Sequence, residues 1–138
     1  MSFPQLQKYK GKSDRLDKIL GQIEFHLTNL LSEFISKNTS NNFFNYKQLV
    51  VKSQLSKEDV LSVLELLKSE NVLIANYQFH CPETGHHIIT FDSLDNLPEY
   101  LDCYHHDRLE QHETIYCDVE ILFAFSPEFL EILGQVFV

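Results

Sequence analysis

The chain of 138 residues has no tryptophan, one methionine, four glycines, four prolines and three cysteines. It also lacks any apolar run near the ~20 residues a membrane-spanning helix requires. The start, Met1-Ser2-Phe3-Pro4-Gln5, has no apolar stretch of the secretion-signal kind. An intracellular, cytoplasmic protein without membrane contact is therefore expected. Glycine- or proline-rich tracts, low-complexity runs and internal repeats are absent as well. With 43% hydrophobic and 22% charged residues, this excludes the fibrous and disordered classes. Three cysteines in an intracellular chain make no disulfide framework. Basic residues are scarce: 11 Lys and Arg stand against 20 Asp and Glu, net −9. Such a surface neutralises few phosphates, so a general nucleic-acid coat is excluded. No glycine-rich phosphate loop, Gly-x-Ser-x-Gly elbow, nucleotide-loop Lys-Ser/Thr or His-Glu-x-x-His is present.

What is present is unevenly spread. Residues 1–80 carry ten basic and eight acidic side chains, net +2, whereas 81–138 carry Arg108 against twelve acids, net −11. Six of the seven histidines lie between His80 and His112. A near-neutral part is thus joined to an acidic, histidine-rich part, and the length accommodates one domain or two small modules.

Leu16, Leu20, Ile23, Leu27, Leu30 and Phe34 recur at alternating spacings of four and three, which predicts a helix over 14–37 with Ser13 or Asp14 at its cap. The stripe serves either the chain's own core or a seam with a partner, another protein or a second copy. Asn38–Asn42 ends that helix in a loop, and Phe43-Phe44 follows as a short strand or anchor. Asn45 caps a short helix over 46–52. Ser56 and Asp59 open another over 57–70, carrying Val60, Leu61, Val63, Leu64, Leu66 and Leu67, with Asn71 as its stop. Strands are expected at 72–79 and 87–91, joined through the turn Cys81-Pro82-Glu83-Thr84-Gly85. Ile115, Cys117, Val119, Ile121, Phe123 and Phe125 alternate as one long strand with Cys117 on its inward face. Ser126-Pro127-Glu128 starts a last helix that Gly134 should end.

The order long helix, short helix, turn, helix, hairpin over residues 14–91 resembles a winged helix-turn-helix domain. That resemblance implies either DNA binding or a protein-protein role. Cys81-Pro82-Glu83-Thr84-Gly85 and Cys103-Tyr104-His105-His106, 22 residues apart, resemble the two knuckles of a zinc ribbon in a degenerate form: Thr84 stands where the family has its second cysteine and His106 where it has its fourth. The resemblance implies one structural zinc ion on Cys81, Cys103, His106 and one of His86 or His87, or else a ribbon that has lost its metal. The expected fold class is α+β: a tail over 1–12, a winged-helix-like module over 13–91 whose hairpin 72–91 is shared, and a small β-rich ribbon-like module over 92–138.

Three functions are compatible with these residues. The 57–70 helix offers Lys57 and Lys68 against Glu58, Asp59, Glu65 and Glu70, a ratio that opposes reading a DNA groove. The one basic cluster, Lys8, Lys10, Lys12, Arg15 and Lys18, reads as a solvated tail or a contact for an acidic partner. His105, His106 and Asp107, with His112-Glu113, have the residue types of a metal-dependent hydrolase, but otherwise read as a polar loop. The leading expectation is a non-catalytic adaptor or accessory subunit that binds protein and not nucleic acid. Small winged-helix and ribbon proteins of this kind resemble accessory components of multi-gene bacterial systems, including those that act against phage. A transcription regulator and a small hydrolase are the alternatives.

Overall fold

Residues 3–37, 43–105 and 108–137 are described by a computed structural model. The fold is α+β. The chain divides into two compact units, Met1–Ile74 with Phe123–Val138, and Ala75–Leu122. Among the described residues, no helix is long and apolar enough to cross a membrane.

The first unit opens with a 3₁₀ turn, Pro4–Tyr9, and the helix α1, Asp14–Lys37. Ser13 Oγ accepts from Leu16 N at 3.1 Å, and Asp14 and Asp17 lie in the first turn, where the helix dipole favours negative charge. The four-three stripe is buried at Ile19, Leu20, Ile23, Leu27, Leu30 and Leu31, so it is filled by the chain's own core. Phe25 and Ile35 remain exposed. A two-residue strand β1, Phe44–Asn45, leads into α2, Tyr46–Ser53, whose cap Asn45 accepts from Lys47 N at 2.9 Å. Ser56 caps α3, Lys57–Ser69, by accepting from Asp59 N at 3.1 Å. Asn71, at φ 61°, ends it. Bonds from Asn71 N to Lys68 O (3.1 Å) and Val72 N to Leu67 O (2.9 Å) close that end, the paired arrangement that satisfies free carbonyls at a helix C-terminus.

Residues 3–12 are not a solvated tail, because Phe3 and Leu6 are fully buried. Phe3 packs on Phe125 and Phe129 at centroid distances of 6.5 and 5.6 Å. Phe44 lies 6.2 Å from Phe123 and 6.0 Å from Phe125. This aromatic cluster ties the C-terminal segment to the first unit, whose boundaries with the second fall at 74/75 and 122/123. The last helix, α4, is Pro127–Phe137. Ser126 Oγ accepts from Phe129 N at 3.1 Å and donates to Asn71 O at 2.5 Å. The helix continues through Gly134, since a glycine at an ordinary helical φ weakens a helix by about 1 kcal/mol without stopping it.

Two strands carry the chain between units: β2, Leu73–His80, and β6, Asp118–Phe125; β3, His87–Phe91, follows β2. The four-stranded sheet has the order β1-β6-β2-β3. In the second unit β2 and β3 pair antiparallel, Tyr77 opposite Phe91 and Phe79 opposite Ile89. Residues expected to form a polar loop instead build a hairpin, β4, Tyr100–His105, and β5, Arg108–Glu113, with Tyr100 opposite Glu113, Leu101 opposite His112 and Cys103 opposite Glu110. The expected strand from 115 begins only at Asp118. Thr114–Tyr116 form a 3₁₀ turn, tied down by Thr114 N to Glu99 O at 2.9 Å and Thr114 Oγ1 to Pro98 O at 2.5 Å. That turn swings Ile115 and Tyr116 out to solvent.

Candidate metal centre

Cys81 follows β2 directly, where the chain must reverse into β3. Gly85 N donates to Cys81 O at 2.8 Å and Cys81 N to His86 O at 2.9 Å. Gly85 has φ +77°, and a Cβ placed there would meet nothing within 4 Å. Backbone conformation, not crowding, therefore calls for glycine. The tight turn buries the Cys81 side chain.

Cys103 comes from the middle of β4. Leu101 and Cys103 are buried while Asp102 and Tyr104 are exposed, the period of a strand with one covered face. Because directly opposed residues of an antiparallel pair share a face, the register puts His112, opposite Leu101, and Glu110, opposite Cys103, on that same face. The ligand atoms of Cys81, Cys103 and His112 all lie within 4.8 Å of one another. Cys81 Sγ is 3.7 Å from His112 Nε2. His86 stands beside this group, its Nε2 3.3 Å from Cys103 Sγ, without belonging to the set of ligand atoms that lie within 4.8 Å of one another. This cluster can hold a metal ion.

Thr84, at the position where the ribbon family has a ligand, lies next to the donors. Its hydroxyl is bonded to His86 Nδ1, an arrangement that leaves Nε2 facing Cys103. The same hydroxyl, with the N–H groups of Thr84 and Glu83 and the Cys103 thiol, favours the Cys81 thiolate enough to outweigh burial and brings the Cys81 pKa from 9.0 down to about 7. Burial pushes Cys103 up to about 11, and the adjacent Cys81 and Glu110 add to the rise. Cys81 is thus the thiol that ionises first, while Cys103 keeps its proton at neutral pH. An ion has to displace that proton, which is the ordinary coupling of metal binding to thiol ionisation.

Of the residues expected to bind metal, Cys81 and Cys103 are brought together, and His86 touches Cys103. His87 is directed elsewhere: its Nε2 is 2.7 Å from Thr90 Oγ1 and its ring packs edge-on against His80 at 5.8 Å. His106, and Asp107 of the hydrolase alternative, lie outside the described residues. His112 was not expected in the set. Its only signal was that a hairpin centred between residues 106 and 107 sets 112 opposite 101, and neither glycine nor proline marks that turn. A second group, Glu83, Glu110 and His112, also converges, with Glu110 Oε2 3.8 Å from His112 Nε2. Sulfur and imidazole suit zinc better than this carboxylate set does. Cys117 is buried, with its thiol 3.7 Å from Glu113 O, and its pKa is raised, chiefly by burial.

No family model, curated protein or solved structure matches this chain. The functional reading therefore rests on the geometry alone.

Proposed function

We propose that this chain is a non-catalytic accessory protein that acts by binding another protein, and that one structural zinc ion on Cys81, Cys103, His112 and His86 holds its acidic second unit together. The observation that carries the reading is the convergence of two sulfurs and one imidazole nitrogen at the junction of two hairpins, the Cys81, Cys103 and His112 ligand atoms lying within 4.8 Å of one another, with the His86 Nε2 beside them 3.3 Å from Cys103 Sγ as the nearest candidate for the fourth position. Four protein donors fill a tetrahedral ion. Catalytic zinc, by contrast, keeps one position for water or substrate. The role of the ion is then to cross-link the β2–β3 turn to the β4–β5 hairpin, a stretch with few buried apolar side chains of its own.

Electrostatics supports a protein partner over nucleic acid. Three of the five basic residues near the N-terminus are paired with acids of their own unit: Lys8 with Glu70, Lys10 with Glu24 at 2.8 Å and Arg15 with Asp59 at 3.2 Å. The winged-helix element order over residues 14–91 is compatible with a protein-binding role. A transcription regulator would need a cationic face on α3, which has two bases against three acids, with Glu70 directly after it.

Metal analysis of protein purified without added zinc tests the reading. We expect about one equivalent per chain in the wild type and a trace in Cys103→Ser, as a closed four-ligand site requires. Absence of zinc in the wild type, even after reconstitution, would overturn it.

A further inference from the structure

The second unit also carries an apolar groove, none of whose lining residues is a candidate metal ligand. It encloses about 500 Å³ and is lined by Phe79, Leu94, Leu97, Ile115, Cys117 and Val119, with Glu99 and Glu113 at its edge. Ile115 is 82% exposed, Leu94 50% and Val119 45%. Small-molecule sites enclose most of their ligand, whereas apolar side chains standing outward beside a groove mark contact with a macromolecule. The walls are held before any partner arrives. Thr114 binds Glu99 O and Pro98 O, and Cys117 bonds back to Glu113 O. Such a site needs little ordering on binding.

Charge identifies the occupant. Counted by unit, Ala75–Leu122 contains Arg108 as its one basic residue against ten acidic ones, net −9, while the other unit sums to zero. The net charge of the protein therefore resides wholly in the unit that carries the groove. Arg108 and Glu113 are the two ends of β5, about 17 Å apart at ~3.4 Å per residue. No cation lines the groove, and Asp95 and Asp118 are sequence neighbours of its lining residues. A segment that buries apolar side chains here meets carboxylates wherever its flanks emerge.

We infer that this groove binds a peptide segment of a partner protein in which apolar anchors are flanked by Lys or Arg. This names the chemistry of the partner in the protein-binding role proposed above and rests on that reading. It does not depend on the zinc ligands.

The test is selection from a random dodecapeptide display library on the full chain, followed by anisotropy titration of the enriched peptides. Enriched sequences should combine apolar anchors with Lys or Arg. Their affinity should fall about tenfold or more in Ile115→Asp, the loss typical of a central anchor contact, and comparably in Glu99→Lys with Glu113→Lys. It should be unchanged in Val51→Asp, which alters a 77% exposed apolar residue of α2 in the other unit. Raising NaCl from about 0.05 to about 0.5 M should weaken binding, as screening requires. No enrichment, enrichment of acidic or uncharged sequences, or affinity indifferent to Ile115→Asp would each overturn the inference. Zinc is measured in the same preparation. Zinc-loaded protein that selects nothing refutes the groove and leaves the metal reading intact, whereas zinc-free protein that selects basic peptides does the reverse.

Discussion

Thr84→Val probes the metal centre without altering a ligand. Thr84 is exposed at the tip of the β2–β3 turn, and valine has nearly its shape, so neither core packing nor the turn is disturbed. What is removed is one hydroxyl with two roles, favouring the Cys81 thiolate and bonding to His86 Nδ1. Groups that orient metal ligands in this way are worth about 10–100-fold in affinity, or about 1.4–2.7 kcal/mol at ~1.4 kcal/mol per tenfold. The loss should also depend on pH. The Cys81 pKa, lowered to about 7 chiefly by the Thr84 hydroxyl, returns toward its ordinary 9.0 in the variant. The part of the loss that comes from proton competition is then full below pH 7 and disappears as pH rises past about 9, where the Cys81 thiol is ionised without help. Competition against a chromophoric zinc chelator at several pH values measures this. Thr84→Ser, which keeps the hydroxyl, should bind like the wild type. A Thr84→Val affinity within about twofold of wild type at neutral pH would refute the orienting role.

Further outcomes follow from the same contacts. His112→Ala should abolish stoichiometric zinc while His106→Ala retains it, read by metal analysis of both; the reverse result would move the fourth ligand to the hairpin turn. Ser126→Ala removes the α4 cap and the donor to Asn71 O and should cost about 1–3 kcal/mol in denaturant unfolding, with Ser126→Thr recovering part of it. The Lys8 ammonium and then the Tyr9 hydroxyl hold the Glu70 carboxyl below its usual 4.5. Its stabilising contribution is therefore full above that value and lost as pH falls through the lowered one. The stability gap between wild type and Glu70→Gln should thus close on acidification, and a gap that does not change with pH would contradict the assignment.

Helices were legible because their signals are local. The four-three stripe, Asn45, Ser56 and Asn71 each act within a few residues of themselves, and the structure places α1, α2 and α3 within a residue or so of the expected spans. The β4–β5 hairpin was not legible. Arg-Leu-Glu-Gln-His-Glu has no apolar alternation, and it is a strand because its backbone pairs with β4 and not because it covers a core. His112 was hidden for the same reason, since a ligand set by cross-strand register is visible only once the partner strand is known. Ile115 fitted the alternation of β6 perfectly in sequence, but Thr114 is tied to Glu99 and Pro98 and breaks the strand before it. Cys81 and Cys103 stood out because thiols beside turns are few in this chain.

The most direct test of a closed structural centre is X-ray absorption at the zinc K-edge on the purified full chain. The account predicts two sulfur neighbours at about 2.3 Å and two imidazole nitrogens at about 2.0–2.1 Å, with no water in the first shell. A spectrum dominated by oxygen, or with five or six neighbours and fewer than two sulfurs, would place the ion on the carboxylates or leave it an open position, and would contradict a purely structural role.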